Sequence, residues 1–416
     1  MPVHHVIGGG TVFHVRPHLA LSAPAYGGLA RQIHAHLSAA GERAELHLTK
    51  MADPASALET NEDVAALLDR IVADPTAKIV FLTAALVDFA GSVDATAGKH
   101  AARLRSDEGA RSMHLVPTPK LIGRVRRERK DLFLVACKAT AGATADEQYL
   151  AALALLKSAS ANLVLANDVH TRRSMVVTPE QARYDEGEDR AVVVRGLVDM
   201  AVTRSRGRFT RSTIRPGEPV PWSSPLVPRS LRAVVDHCIA RGAYKPFMNA
   251  TVGHFAARLA DGRILTSRRK TNFNRLREVG LVLVESTGDD SVIAYGSRPS
   301  VGGQSQRIIF ADHPDVDCIV HFHCPLRPGA ELSIRSQREH ECGSHGCGRN
   351  TSQGLVRRGG LKAVMLDKHG PNIVFPQSID PREVIAFIEA TFDLEGRTDG
   401  VDPAAAERFN QMAGRA

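Results

Sequence analysis

Short apolar runs alternate with helical patterns through the first half of the chain. Residues 4–7 read as a strand leading into Gly8-Gly9-Gly10-Thr11. The spacing then predicts a helix over 28–40, a strand over 44–48, a helix over 64–72 and a strand over 78–83. Strands over 132–137 and 163–166 flank a helix over 146–158. Strands buried on both faces read as short apolar runs, and regular strand–helix alternation implies a doubly wound, mostly parallel, Rossmann-like α/β sheet. Such sheets bind ligands at the carboxyl ends of their strands.

The pattern breaks at 206–229, which carries Pro216, Pro219, Pro221, Pro225 and Pro228 without periodicity and reads as a linker. It separates an expected first domain, 1–205, from a second, 230–416. The second opens with a helix over 231–241, after which strands dominate: 255–259, 281–285, 292–295 and 318–322. Interposed helices at 304–312 and 381–392 make it an α/β domain of another kind.

Composition narrows the partners. The 416 residues are 43% hydrophobic and 24% charged, as in an ordinary globular chain. With 5% aromatics there is little material for base stacking, so nucleic acid is not the expected partner. The net charge of +8 suits small anionic substrates such as phosphates. No stretch approaches the ~18 apolar residues of a membrane helix. Residues 1–7 lack the basic segment and apolar core of an export signal, and the six cysteines do not suggest a disulfide framework; the expectation is a cytoplasmic protein.

Candidate chemistry is concentrated in Cys318-Ile319-Val320-His321-Phe322-His323-Cys324. Side chains two apart on a strand share a face, so His321 and His323 can reach one metal ion. A third imidazole, His369, follows the apolar run 361–366 and precedes Gly370. Three histidines with an open fourth position form a catalytic rather than a closed structural site, with zinc first and iron, manganese or cobalt as the other candidates. The alternative is that the strand histidines are held by ordinary hydrogen bonds. In the first half, Gly8, Gly9 and Gly10 offer bare backbone to a phosphate, or simply a tight turn.

The stretch from about 6 to 204 resembles the phosphopantothenoylcysteine synthetase family, the ligase half of a bifunctional coenzyme A biosynthesis protein. The resemblance is carried by Gly8-Gly9-Gly10-Thr11, the run from Thr83 to Phe89, Arg103-Leu104-Arg105 through Gly109, Pro117-Thr118-Pro119-Lys120, and Ala166-Asn167-Asp168-Val169. It implies a nucleoside triphosphate, CTP or ATP, with Gly8, Gly9, Gly10 and Thr11 at the phosphates. Asp88 and Asn167 would sit near the nucleotide, and Arg103 and Arg105 would stand at lysine positions of the family. Departures matter: the family's Ser-Asn-x-Ser-Ser-Gly reads Ser22-Ala23-Pro24-Ala25-Tyr26-Gly27, so the amide that contacts the acyl intermediate is missing. Its Gly-Phe-Ala-Ala-Glu stretch is replaced by Ala136-Cys137-Lys138-Ala139-Thr140. The phosphate cradle looks kept and pantothenate recognition lost.

The stretch from about 231 to 394 resembles the class II aldolase/adducin family through Arg258, Ile264-Leu265-Thr266, Pro299-Ser300, 315–323 and Leu366-Asp367-Lys368-His369-Gly370. The resemblance implies that His321, His323 and His369 hold a divalent ion that stabilises an enediolate during carbon–carbon cleavage. Again there are departures. The family's catalytic glutamate position holds Gly302, and its neutral phosphate loop has become Thr266-Ser267-Arg268-Arg269, with Lys270 following. Arg268, Arg269 and Ser300 are therefore expected to bind an anionic, phosphorylated or carboxylated substrate; the alternative for the arginines is a solvated basic turn. The segment 340–351 has no counterpart in the family. Glu341 in it, or His254 at the family's Gly-Asn position, could replace the missing acid/base, and Cys342 or Cys347 could add a ligand or a nucleophile. Alternatively His340, Cys342, His345 and Cys347 could hold a second zinc. The combined expectation is a metal-dependent lyase fused to a ligase-like domain, forming dimers or tetramers. An acyl-nucleotide ligase and a non-catalytic adducin-like scaffold are the rivals.

Overall fold

The structure, a computed structural model, describes residues 2–288, 290–300 and 302–413; residues 1 and 414–416 at the expected domain ends, and Val301 beside Gly302, lie outside them. The chain divides into two compact units, one of residues 1–179 and 184–205, the other of residues 180–183 and 206–416. Among the described residues, no helix is long and apolar enough to cross a membrane.

In the first unit a seven-stranded sheet has five parallel strands in the order Ala44–Leu48, Val3–Gly8, Ala77–Leu82, Phe133–Thr140, Leu163–Asp168. Ser174–Val177 then pairs antiparallel, and Arg183–Gly187 lies at the edge. The central strands are predominantly apolar and buried, and each large apolar side chain contributes roughly 1.5–3 kcal/mol. Helix Asn61–Ala73 begins three residues earlier than its apolar period suggests, because Thr60 and Asp63 close a capping box. Its Val64, Leu67, Leu68 and Ile71, spaced as one helical face, are buried. Helix Ala145–Ala159 starts on a second capping box, Thr144 with Glu147. The chain leaves Val3–Gly8 through helix Gly28–Ala39 to one side and returns through Asn61–Ala73 to the other side. Right-handed crossovers place these helices on opposite faces, and the direction reverses at Val3–Gly8, the point where such sheets bind ligands.

The second unit is built on a ten-stranded, mostly antiparallel sheet. Its centre runs Leu281–Gly288, Ile264–Ser267, His254–Arg258, Cys318–His321, Gly370–Phe375, Leu361–Leu366. Phe255, Leu265, Phe322, Ile373 and Phe392 pack with Tyr244 and Trp222 into its main core. The proline-rich stretch expected as a linker is part of this unit. Arg211–Arg215 pairs in parallel with Ser291–Tyr295, and Val220 bridges to Leu281. An edge strand of mostly exposed side chains needs no apolar pattern, only an unpaired neighbour.

Candidate metal centre

His321 ends the buried strand Cys318–His321, with His254 beside it on one neighbouring strand and Asn372 on the other. Phe322 turns into the core against Phe392 and Tyr244, so His321 and His323 turn the opposite way, as strand alternation demands. His369 lies in the turn joining Leu361–Leu366 to Gly370–Phe375, its amide donating to the Leu366 carbonyl. Because Gly370–Phe375 pairs with Cys318–His321, that turn is delivered to the end of the histidine strand.

Two glycines permit this approach. Gly370 has φ +131°, and a Cβ there would lie 2.1 Å from the Phe322 carbonyl oxygen. Gly253 has φ +112°, and a Cβ would lie 2.5 Å from the His321 carbonyl oxygen. The backbone between the first two histidines is therefore clasped from both sides by residues that must lack a side chain.

The three imidazoles are buried, with ring centroids 4.5 to 5.0 Å apart and ligand atoms all within 4.8 Å of one another. His321 Nδ1 donates to the Pro371 carbonyl at 2.7 Å, which leaves Nε2 as the lone-pair nitrogen. A backbone acceptor on the far nitrogen is the usual means of orienting a metal-bound imidazole. Burial pushes the His321 pKa down to about 4, so the ring is neutral and fit to ligate at neutral pH. The donor set thus suits zinc or another borderline divalent ion. Behind it, the Thr398 amide and hydroxyl donate to the carbonyls of His323 and His369, both at 3.3 Å. The same loop carries the buried Arg397–Asp399 ion pair, at 2.7 Å.

His254, expected as an alternative base, has another role in this geometry. Its ring centroid is 4.7 Å from that of His321, and its Nδ1 accepts from Gln306 Nε2 at 2.6 Å. Gln306 in turn accepts from the Thr266 hydroxyl at 3.2 Å. The lone-pair nitrogen of His254 is therefore engaged, and Nε2 carries the proton. Burial, with the His321 ring next, holds its pKa well below the usual value, so His254 is a neutral donor.

Glu341 and Cys342 precede helix His345–Gly354, whose N-cap is Ser344. Among the described residues, the cluster that fits a metal in this unit contains no atom of Glu341, Cys342 or Cys347, and no second group forms around His340 and His345. Helix Gly302–Asp312 begins at the glycine in the family's glutamate position. Arg268 and Arg269 line a cleft with Lys270, Arg275 and Asn272. The pairing of His254–Arg258 with Ile264–Ser267 ends at Ala256 and Thr266, and Arg268, just past it, bridges to Pro299. Ser300 donates its amide to the Ser267 carbonyl at 2.8 Å beside this loop, but it does not line the cleft.

In the first unit, Gly8, Gly9 and Gly10 follow the strand at the reversal point. Their lack of side chains is accounted for by the protein's own packing. Added Cβ atoms would lie 2.3 Å from Ala30 Cβ, 2.2 Å from Thr49 Oγ1 and 2.0 Å from the Ala23 carbonyl oxygen. Thr11 is fully buried, its hydroxyl donating to Asn61 at 2.7 Å and accepting from the Val87 amide at 2.9 Å. It builds the loop instead of facing a phosphate. Asp88 pairs with Lys120 on the surface. Arg105 pairs with Asp107, and both it and Arg103 are exposed between the hairpin strands Phe89–Ser92 and His114–Pro117. Asn167 is at the carboxyl end of Leu163–Asp168.

Sequence reasoning missed Gln306, Thr398, Gly253 and Asn372; a glycine beside each of His254 and His369 was the visible signal for the close approach.

Together these observations define a two-domain α/β protein with a parallel-sheet unit and a three-histidine antiparallel-sheet unit. Residues 235–327 match the family described as Class II Aldolase and Adducin N-terminal domain, a stretch that includes His254, His321 and His323 and stops before His369. Among solved structures, the chain is similar to the DNA/pantothenate metabolism flavoprotein from Streptococcus pneumoniae. Identity is 20%, over 49% of this chain and 96% of that one, with a TM-score of 0.40. The C-terminal domain of the coenzyme A biosynthesis bifunctional protein CoaBC is similar at 16% identity, over 48% and 92%, with a TM-score of 0.37. L-fuculose-1-phosphate aldolase from Thermus thermophilus is similar at 17% identity, over 46% and 99%, with a TM-score of 0.29. No curated protein matches the sequence.

Proposed function

We propose that this protein is a metal-dependent lyase of the aldolase type, acting on a phosphorylated or carboxylated polyol by carbon–carbon cleavage or enolisation. The observation that carries the reading is the set of three buried imidazoles with mutually close ligand atoms, one of them oriented by Pro371. His321, His323 and His369 would hold a divalent ion, zinc by donor type. When bound, such an ion supplies Lewis-acid stabilisation of negative charge on the substrate's hydroxyl and carbonyl oxygens. Around it, His254 Nε2–H is a neutral donor aimed by Gln306, and Arg268, Arg269 and Lys270 form a cationic rim for the anionic end of the substrate. Gly302 leaves the proton-transfer role open, and Glu341 is the proposed acid/base, with Cys342 beside it.

The acyl-nucleotide ligase reading has less under it, since Thr11 and the three glycines are accounted for by packing. A scaffold has no use for three buried imidazoles whose ligand atoms lie this close together.

The test is exchange of carbon-bound hydrogen for deuterium, followed by NMR, in a panel of hydroxyketone phosphates and carboxylated polyols. Exchange that requires zinc and is lost in His321→Ala supports the reading; no exchange with any member by zinc-loaded protein removes it.

A further inference from the structure

We propose that the first unit holds a divalent-cation site of its own, formed by His5, Glu45 and His47 and suited to zinc. The proposal does not depend on the reaction proposed for the second unit.

The site follows from register. Val3–Gly8 and the edge strand Ala44–Leu48 pair in parallel, with His5 across from Glu45 and Ile7 across from His47. Alternate residues share a face, so His5, Glu45 and His47 gather on one side of the sheet. The same three atoms make every close contact: His5 Nδ1 to His47 Nε2 at 3.1 Å, His5 Nδ1 to Glu45 Oε2 at 3.6 Å, His47 Nε2 to Glu45 Oε2 at 3.7 Å. Tetrahedral zinc with ligands at about 2.0–2.2 Å sets its donors roughly 3.3–3.5 Å apart. One hydrogen bond between the rings explains only the shortest edge of this triangle. A carboxylate oxygen nearly equidistant from both ring nitrogens and too far to accept from either matches a shared central cation.

The surroundings agree. The rings are stacked, with centroids 5.4 Å apart and planes inclined by 20°. His5 is almost wholly buried, whereas the Glu45 side chain is 48% exposed, leaving a side open for water as a fourth ligand. Burial is the first cause lowering the pKa of both histidines, so both rings are neutral ligands at neutral pH. The other titratable groups that act on the two rings through space are Asp74, His4 and Arg70. A bound cation would tie the edge strand to the strand that delivers Gly8. It would be a structural staple between the two strands.

The experiment uses the full chain, stripped with chelator and dialysed against zinc, with bound zinc measured by elemental analysis. Two zinc ions per chain are expected for the wild type and one for Glu45→Ala and for His47→Ala. Zinc should also raise the melting temperature of His321→Ala and leave that of Glu45→Ala/His321→Ala unchanged. Glu45 is half-exposed on an edge strand, so its removal leaves the core intact and its result is decisive. Equal zinc content in the wild type and Glu45→Ala overturns the proposal. Failure of the second unit's site alone would instead appear as one zinc in the wild type and none in Glu45→Ala.

Discussion

Replacing Gly370 with alanine should loosen the metal centre without touching a ligand. At φ +131° an L-residue is strained by about 1–3 kcal/mol. The new methyl would sit 2.1 Å from the Phe322 carbonyl oxygen, whereas a carbon–oxygen contact relaxes at about 3.3–3.6 Å. The backbone between His321 and His323 must therefore yield by roughly 1 Å, against a ligation tolerance near 0.2 Å. If that strain falls on metal binding, affinity drops about 5- to 150-fold, since 1.4 kcal/mol is tenfold. Gly262→Ala is the control, because it has φ +83° but no atom within 4 Å of the added Cβ. It carries backbone strain and no push on the ligands. Zinc titration against a chromogenic chelator, in a Glu45→Ala background with circular dichroism to verify folding, reads the difference. A folded Gly370→Ala that binds zinc as tightly as its parent refutes the reasoning, as does an equal loss in Gly262→Ala.

Three further outcomes are expected. Gln306→Leu strips the partner from buried His254 and Thr266, which costs about 1–3 kcal/mol; calorimetry should show a lower melting temperature, and deuterium exchange should slow with zinc content unchanged. Arg269→Ala should weaken binding of a phosphorylated ligand about tenfold or more, with the loss shrinking at high salt, as read by isothermal titration. Asp168 accepts from the Thr171 amide foremost, then from Ala143, the Thr140 hydroxyl and Gly142, which holds its carboxyl well below the usual range. The stability this gives is complete above the unfolded value of about 3.9 and is lost as pH falls below it, where the unfolded chain takes up the proton first. Melting of the first unit should therefore steepen its decline below about pH 4, and Asp168→Asn should lower the neutral-pH midpoint and flatten that acid limb.

Most of the parallel strands of the first sheet and Cys318–His321 were legible because continuous apolar runs leave few alternatives, whereas the buried strands Ser174–Val177, Ile264–Ser267 and Gly370–Phe375 were not; His321 with His323 was legible because a two-residue period has one geometric meaning. His369 stood out by its own context, an apolar run before it and Gly370 after it, but the pairing of Gly370–Phe375 with Cys318–His321 that brings it to the other two bridges 51 to 57 positions, beyond any local window. Arg211–Arg215 escaped notice because its side chains are mostly exposed and its order comes from a neighbour 80 residues away. The Gln306–His254 bond and the His5–Glu45–His47 triangle are products of tertiary register, which no local window contains. Thr11 was legible as part of a motif, but its burial, and hence its structural role, was not.

The most direct test of the account is zinc-edge anomalous diffraction from zinc-loaded crystals. One peak is expected in the second unit, about 2.0–2.1 Å from Nε2 of His321 and from a ring nitrogen of each of His323 and His369. A zinc-loaded crystal with no peak among these three rings, or with a peak that one of them does not reach, would contradict it.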